Sequence, residues 1–374
     1  CESNDKDTST TTAPVPAQPS APAPPAPAAP PDEPTTTTTT PEEEEEEDTT
    51  PKKRYNAPDI NRPMSEILKD FGDNHACYVH ILGYFSVIDL LRQQKISKSW
   101  QTYCFLAIDN KAKEKNPSTP HGKKQFKKNA ELRGAVQKYI RKDHADIEEV
   151  AVMYGYPIHK WDVSRMKDFS KIFKWNKGFN EDIGEWDVSA ATNMAEMFRN
   201  ADHFNQDLSK WNVSKCKNMS EMFYEAIEFN NGGNGQPLQW DVSKVTSMTR
   251  LFSGCEDFNV AIDKWDTSKV TDMSFMFSRA YKFDQDIGAW NTQSVTNMSN
   301  MFRRAIAFNQ DISNWNVSNV TKMDHMFRDA ENFNQDLSLW ITRKVASYEG
   351  VFDNAKRFNI NRYQPRWRKK KEPA

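Results

Sequence analysis

The chain has 374 residues, of which 37% are hydrophobic, so it is long enough for two or three domains but poor in core-forming residues. No stretch approaches the length of about 18 apolar residues that a membrane-spanning helix needs. The formal net charge of -2 hides an asymmetry: residues 1–50 carry 12 acidic groups and one lysine, so the rest of the chain is net positive. The five cysteines show no CxxC or CxxxxC spacing, which excludes a zinc module and argues against a disulfide framework.

Residues 1–53 are of low complexity. They hold twelve of the 20 prolines, a threonine run and the acidic run from Glu42 to Glu47. Such a composition buries too little apolar surface to offset the chain entropy lost on folding. We expect a disordered, partly polyproline-II spacer. An acidic docking segment is the less favoured interpretation.

The sequence given opens with Cys1, which permits two interpretations. A cysteine before a Pro/Thr-rich spacer is typical of a processed bacterial lipoprotein, with a thioether lipid on Cys1. Alternatively, the sequence is a fragment or comes from an incomplete gene prediction. A signal peptide and lipobox would lie upstream of Cys1, so the sequence leaves both interpretations open.

Internal repetition is the strongest signal in the chain. Eight tryptophans are separated by steps of 25, 25, 29, 25, 25, 25 and 25 residues, and two phenylalanine ladders follow the same steps. The single longer step is explained by a turn-rich insertion at residues 231–235. The ladders are Trp161, Trp186, Trp211, Trp240, Trp265, Trp290, Trp315 and Trp340; Phe173, Phe198, Phe223, Phe252, Phe277, Phe302, Phe327 and Phe352; and Phe179, Phe204, Phe229, Phe258, Phe283, Phe308, Phe333 and Phe358.

One repeat is too short, and has too few apolar positions, to fold alone. Stacking the repeats makes each ladder continuous, and each buried Trp, Met or Phe then contributes about 1.5–3 kcal/mol. Twenty-five residues do not accommodate the paired helices of TPR or HEAT repeats, so the length favours one turn of a β-containing solenoid. We expect strands near x-V-T-x-M and F-N-x-D-[IL]-x-x-W, and a short helical turn at M-F-x-x-A.

The repeat resembles a known family. Residues 265–274, W-D-T-S-K-V-T-D-M-S, are close to the consensus of the BspA-like, leucine-rich-repeat-related surface proteins, and the match covers residues 158–360. This resemblance implies an α/β fold: a leucine-rich-repeat-like solenoid of about eight 25-residue coils, with a general role in protein binding and no established enzymatic activity. Residues 113–157 would form a linker and a helical N-cap, with an amphipathic helix beginning at Glu131.

Residues 54–112 resemble a second family, the F-box. The elements I-L-G-Y-F, D-L-L and I-S-K-S-W have the spacing of this helical module, although its usual Leu-Pro start is replaced near Asp73. The resemblance implies docking onto a Skp-type adaptor of a cullin–RING ubiquitin ligase. A small amphipathic helical domain is the plainer interpretation. The adaptor-facing or core positions would be Leu82, Phe85, Leu90, Leu91, Ile96 and Trp100.

At three positions of the repeat, one residue type recurs from repeat to repeat, and we call these sets the Asn, Asp and Met columns. Each column has a structural and a ligand-binding interpretation. We expect the Asn column to be a side-chain ladder and the Asp column to cap turns rather than bind calcium. We expect the Met column to be core packing and Cys216 and Cys255 to be buried, inert thiols. The columns are Asn180, Asn205, Asn230, Asn259, Asp284, Asn309, Asn334 and Asn359; Asp182, Asp207, Asp286, Asp311 and Asp336; and Met194, Met219, Met248, Met273, Met298 and Met323.

No Ser/His/Asp set, HExxH motif, P-loop or GxGxxG motif is present, so we expect no enzyme, metal or cofactor. The basic clusters at residues 52–54 and 366–371 are solvated tails or, less favoured, nuclear-localisation or anionic-surface patches. A basic nuclear binder is a third, weaker hypothesis, and we expect no nucleic-acid partner. The last 14 residues, 361–374, form a basic tail.

Two functional hypotheses follow. In the favoured one, the chain is an intracellular protein of the cytoplasm or nucleus, whose F-box-like module recruits the adaptor while the solenoid binds a target protein. In the alternative, the chain is a cell-surface adhesion protein anchored in the membrane by a lipid on Cys1. Under both hypotheses, the choice of binding partner depends on exposed positions that vary between repeats, such as Lys210, Lys264, Ala289, Asn314 and Leu339.

Overall fold

The structure is a computed structural model that describes residues 98–115, 117 and 123–367, together with Leu82 and Leu90. Of the F-box-like positions, Leu82 and Leu90 are helical and buried. The backbone of Trp100 is also helical. The other three positions, Phe85, Leu91 and Ile96, lie outside the described residues, as does Cys1.

Three helices precede the repeats: α1 (Lys98–Lys115), α2 (Asn129–Arg141) and α3 (His144–Tyr154). Helix α1 crosses the domain boundary placed at residue 112, and α2 contains the segment expected to be helical from Glu131. Helix α3 packs against both of the others. Among the described residues, no helix is long and apolar enough to cross a membrane.

Local sequence explains why α2 and α3 form where they do. The buried residues of helix α2 are spaced three or four positions apart and form one face. Asp143 caps the start of α3, because its carboxylate accepts from the backbone N–H groups of Ala145 (3.0 Å) and Asp146 (3.3 Å). Helix α3 ends at Gly155, whose φ of 96° favours glycine. The buried face of α2 consists of Leu132, Ala135, Val136 and Tyr139.

Helices α2 and α3, together with the segment that precedes α2, cover the first repeat. The Trp161 ring is contacted by Phe126 and by Tyr139, with ring centroids 5.3 and 5.6 Å away. Tyr154 stacks on Phe126 at 4.1 Å. The cap and the repeats therefore share one continuous hydrophobic core, which runs from Phe126 to Phe358.

We number the repeats 1 to 8 from their first tryptophan, Trp161 to Trp340. Successive rings of the first phenylalanine ladder lie 5.3–6.0 Å apart, and those of the second lie 5.8–6.1 Å apart. These are offset-stacked distances. Each ladder tryptophan is at most 5% exposed and donates its indole N–H to a backbone carbonyl at 2.7–3.2 Å. The core therefore repeats once per 25-residue unit.

The backbone joins the repeats with little regular strand. Within the described residues, strand pairing is limited to seven isolated parallel bridges. Each bridge joins the residues that precede the Met-column position in two successive repeats, and we call the methionines of that column the ladder methionines. The expected x-V-T-x-M strand is thus reduced to one bridge per repeat pair. The expected F-N-x-D-[IL]-x-x-W strand does not form, because side-chain oxygens rather than backbone carbonyls accept several of its N–H groups, as described below.

The M-F-x-x-A segment is not the helical turn expected from the sequence. In repeat 2 it forms consecutive turns in which Glu196 and Asn200 have φ of 57° and 56°. Alternate N–H groups, at Glu196, Phe198 and Asn200, donate to repeat 3 at 2.8–3.0 Å, whereas Met197 and Ala201 donate within repeat 2. A helix would direct every N–H along its own axis, so the links between repeats exclude it.

The insertion at residues 231–235 keeps the ladders in phase. It forms the 3-10 turn Asn231–Gly233, and the side chain of Asn231 accepts from the Leu208 N–H at 2.8 Å. The carboxylate of Asp207 accepts from the Asn234 amide at 2.9 Å. The extra residues are therefore tied back onto the preceding part of the chain, and Trp240 resumes the tryptophan ladder.

The last repeat is covered by residues that the sequence assigned to the tail. Trp367 stacks on Tyr348 with centroids 4.7 Å apart, shortly after the four-residue helix α4 (Ile360–Tyr363). The Leu337 N–H donates to the Tyr363 carbonyl at 2.9 Å. Residues 361–367 therefore continue the contacts between repeats beyond repeat 8. The leucine-rich-repeat-like solenoid stays a prediction.

Phe277→Ala tests the ladder. Phe277 is fully buried, with Phe252, Phe283 and Phe302 stacked around it at 4.0–6.0 Å. We expect the substitution to lower the free energy of unfolding by about 3–5 kcal/mol, because it leaves a cavity that stacked neighbours cannot fill. Urea unfolding measures the change. Leu339→Ala is the matched control, since Leu339 is 81% exposed, and a comparable loss there would contradict the account.

Candidate functional site

The exposed column just before each tryptophan carries chemically different side chains on the same scaffold. Its members are all exposed, in keeping with the expectation from the sequence. Lys210 pairs with Glu185 at 2.5 Å, and this hydrogen bond raises the pKa of the lysine. We call the following five residues the variable column: Lys210, Lys264, Ala289, Asn314 and Leu339.

A second solvent-facing surface lies on the turns that follow the ladder methionines. Its charged side chains form ion pairs between neighbouring repeats, such as Lys174 with Glu196 at 2.5 Å and Arg199 with Glu221. Arg279 of repeat 5 reaches past repeat 4 and pairs with Glu225 of repeat 3 at 2.8 Å. We call this the turn surface. It comprises Lys171, Lys174, Glu196, Arg199, Glu221, Tyr224, Glu225, Arg250, Phe275, Arg279, Arg304, Arg328 and Asp329.

The turn surface is held in place by packing as well as charge. The Arg199 guanidinium lies 4.9 Å from the Tyr224 ring centroid, and Arg250 lies 4.5 Å from that of Phe275. Burial alone would raise the pKa of Glu196, but hydrogen bonds and charge from Lys174 and Lys171 outweigh it and leave that pKa below its ordinary value. These side chains are therefore fixed relative to one another, which suits recognition.

The Asn column is a ladder between repeats, and the prediction of a structural role is confirmed. The Asn180 Oδ1 accepts from the Asn205 N–H at 2.9 Å, and the Asn205 Oδ1 accepts from the Asn230 N–H at 2.9 Å. Asp284 occupies the same position and accepts from the Asn309 N–H at 2.9 Å. The pattern continues to Asn359, so the column binds backbone.

The Asp column caps turns, as predicted. Each carboxylate accepts from the N–H two residues later at 2.9 Å, as in Asp182 with Gly184 and Asp311 with Ser313. A further row of such turns follows the ladder tryptophans, including Asp241 with Ser243 at 3.0 Å. Within the part of the chain that the structure describes, no three His, Cys, Asp or Glu side chains are grouped closely enough to hold a metal ion.

The Met column is fully buried, which confirms that it is core packing. Cys216 and Cys255 are buried as expected, and so is Cys104 in α1. Burial raises the pKa of the Cys104 and Cys216 thiols to about 11, and that of Cys255 well above its ordinary value. These thiols are therefore protonated at neutral pH.

Of the F-box-like positions, only Leu82 and Leu90 have described side chains, and both are buried, so nothing here places them on an adaptor-facing surface. Sequence reasoning missed Trp175, which is 58% exposed and lies outside the tryptophan ladder. Aligning the repeats would have found it, because the equivalent position is polar or glycine in every other repeat.

Acid stability tests the turn-capping aspartates. Hydrogen bonds from Ser243 and Ser268 hold the pKa of Asp241 and Asp266 below the ordinary value of 3.8. A lowered folded-state pKa stabilises the protein above the unfolded pKa, and this stabilisation is lost as pH falls through the folded-state pKa. We expect the double variant Asp241→Asn, Asp266→Asn to lose less stability than the unaltered chain as pH falls from about 5 to about 3 and below.

The same double variant provides its own control at neutral pH. Stability at pH 7 should change little, because asparagine makes this turn naturally in repeats 3, 6 and 7, at Asn212, Asn291 and Asn316. Thermal unfolding across the pH range is the measurement. If the double variant lost stability in acid as steeply as the unaltered chain, these two carboxylates would not stabilise the fold as stated.

Thiol reactivity tests the buried cysteines. We expect Cys216 and Cys255 of the folded chain to resist iodoacetamide at about pH 8, because burial limits both access and thiolate formation. Peptide mass spectrometry locates the modified residues, and the urea-unfolded chain is the positive control. Equal alkylation rates in the folded and unfolded chains would contradict the structure.

Comparison with known proteins identifies the repeats. Residues 145–260, 233–316 and 286–371 each match the family described as "Mycoplasma protein of unknown function, DUF285". This is consistent with the resemblance to BspA-like repeat proteins, whereas no match supports the F-box. No curated protein and no solved structure matches the chain. Because the matched segments together cover more than half of its residues, the chain belongs to the DUF285 family of Mycoplasma proteins of unknown function.

Proposed function

We propose that this protein is a non-enzymatic protein-binding protein and that its stacked repeats present the surface that selects the partner. One observation carries the proposal: the ladder positions are uniform and buried, while the variable column differs in charge and size from repeat to repeat. The uniform positions fix the spacing, and the varied ones supply specificity. We further propose that the repeats form a leucine-rich-repeat-like solenoid.

The contacts of the turn surface support this role. Ion pairs and ring contacts hold it in a defined arrangement, which lowers the conformational entropy lost on binding. Aliphatic side chains are also exposed near the end of the repeats, with Leu339 81% and Ile341 58% exposed. Exposed apolar groups beside charged ones are typical of protein interfaces.

Site-specific photocross-linking tests the proposal. A photoreactive residue is placed at Ala289 or Asn314 of the full chain in cells of the source organism, and at Asn309 of the Asn ladder as the control. We expect the first two positions to capture the same partner protein, identified by mass spectrometry, and the control to capture little of it. No captured protein at either position, or equal capture at the control, would contradict the proposal.

The F-box resemblance adds an adaptor role for residues 54–112 to this proposal. It is supported by the motif spacing and by the buried, helical Leu82 and Leu90, which suit core positions of a small helical module. Calorimetric titration of the full chain with a Skp-type adaptor tests it. Binding is the expected result, and its absence would remove the adaptor role while leaving the repeat surface unaffected.

A lipid anchor on Cys1 is the alternative proposal for how the repeats are presented. It is supported by the cysteine before a Pro/Thr-rich spacer. Intact-mass and peptide analysis of the protein from its native membrane tests it, and a diacylglyceryl thioether on Cys1 is the expected result. An unmodified cysteine, or one joined by a peptide bond to a preceding residue, would exclude the anchor.

A further inference from the structure

Trp175 differs from every ladder tryptophan. Each ladder tryptophan is at most 5% exposed and donates its indole N–H to a carbonyl, whereas Trp175 is 58% exposed and its indole N–H has no acceptor among the described residues. Its positive φ, 68°, is shared by this position throughout the repeats. The equivalent residues are Asn200, Glu225, Gly254, Arg279, Arg304, Asp329 and Asn354.

The position therefore demands a left-handed backbone, and a bulky aromatic residue is an unusual choice for it. Repeats 2 and 8 use asparagine there, which tolerates this conformation well. An exposed indole at this point contributes little to the core, since the ladders are complete without it. Lys174 and Arg199 each lie 5.9 Å from the Trp175 ring centroid, which is near the outer limit of a cation–π contact. These weak contacts leave more than half of the Trp175 surface exposed, which suits a contact outside the chain.

A cleft of about 400 Å³ lies beside Trp175, between the end of α2 and repeat 1. Its aromatic lining comes from Trp175, Tyr139 and Phe179, the last two being 4% exposed. This volume lies within the range of about 300–1,000 Å³ that is usual for ligand sites. The cleft therefore offers room and an apolar wall for a large side chain.

The polar lining of the cleft indicates what such a ligand carries. The Asn176 Nδ2 is shielded from solvent and has no acceptor within the described part of the chain. A buried donor without an acceptor is unfavourable. Because Asn176 itself is half-buried and lines the cleft, a rotation of its amide toward the cleft would bring this donor to a ligand oxygen. The carboxylate of Glu181 already accepts from the Tyr139 hydroxyl at 3.2 Å.

The charged residues that line the cleft indicate which apolar ligands it favours. Lys177 pairs with Asp202 at 3.1 Å, whereas Lys142, which follows α2, has no ion-pair partner among the described residues. An exposed ammonium group at the rim of an apolar cleft favours a carboxylate beside the apolar group. A peptide in which an aromatic or aliphatic residue adjoins Asp or Glu meets all three requirements.

We propose that this cleft anchors an extended acidic peptide of a protein partner. An apolar side chain of the peptide packs against Trp175 and Tyr139, a backbone carbonyl accepts from the Asn176 amide, and an adjacent carboxylate pairs with Lys142. This site rests on the proposed protein-binding function and names the partner's chemistry at one end of the repeats.

Peptide selection tests the site even though the partner is unidentified. A phage-displayed library of random nine-residue peptides is selected on the immobilised full chain, and single peptides are then measured by fluorescence anisotropy. We expect enrichment of peptides in which an aromatic or aliphatic residue adjoins Asp or Glu. Trp175→Asn should weaken their binding by about tenfold or more. Asparagine suits this position because it occurs there in repeats 2 and 8.

Two more variants make the test specific. Lys142→Glu, at an exposed residue, should shift the selected peptides from acidic to basic and keeps the test decisive even if Trp175→Asn unfolds. Ile360→Asn alters an exposed apolar side chain of α4, at the far end of the repeats and outside the variable column, and should leave binding unchanged. Failure to enrich any peptide, or enrichment without the apolar–acidic pattern, would overturn the proposal.

The outcome also separates this site from the broader function. Enriched peptides that bind the Trp175→Asn and Lys142→Glu variants as tightly as the unaltered chain would overturn the anchor site. If cross-linking at Ala289 and Asn314 still captured a partner, the protein-binding function would stand. A failure of both experiments would remove the function together with the site.

Discussion

Each repeat depends on its neighbour to satisfy its backbone. In the turn that follows the ladder methionine, alternate N–H groups donate to the next repeat, and the Asn ladder accepts backbone N–H groups from the repeat that follows. A single repeat would leave these groups unpaired, at a cost of about 1–3 kcal/mol for each one buried. Stacking is therefore a condition of folding, and the buried ladders follow from it.

The same dependence explains the ends of the structure. An isolated terminal repeat would expose both aromatic rings and unpaired backbone groups. Phe126, Tyr139 and Tyr154 cover Trp161 at one end, and Trp367 covers Tyr348 at the other. The cleft beside Trp175 arises at the first of these junctions, where a helix end meets a repeat and the surface is no longer periodic. Specific sites are thus expected where the repetition stops.

Periodicity made much of the interior predictable. The Trp and Phe ladders, the Met column and the roles of the Asn and Asp columns follow from spacing, since identical residues 25 apart must stack if the repeats do. The prediction of a helical turn at M-F-x-x-A was wrong, because an alanine at helical spacing does not reveal whether the backbone N–H groups bond within the segment or to the next repeat. The residues with left-handed backbone in these turns are of varied type, including Glu196, Phe275 and Arg304. Their positions therefore could not be recognised from glycines in the sequence.

The candidate site was harder to predict. The exposure of the variable column could be predicted from the ladders, whereas the cleft could not, because it joins residues of α2 to residues some 35 positions later in repeat 1. Trp175 was visible as an exception in the aligned repeats, yet its exposure depends on a turn conformation that the sequence does not display. The F-box-like and Cys1 predictions stay untested, since most of those residues lie outside the described part.

Amide hydrogen exchange measured residue by residue tests the central claim most directly. The account predicts slow exchange for the N–H groups that donate to the next repeat, such as those of Asn200, Arg279, Arg304 and Asp329, even though these turns lie at the surface. Protection should be similar through repeats 2 to 7 and should be lost together in denaturant. Fast exchange at these residues, or protection confined to separate repeats, would contradict the account.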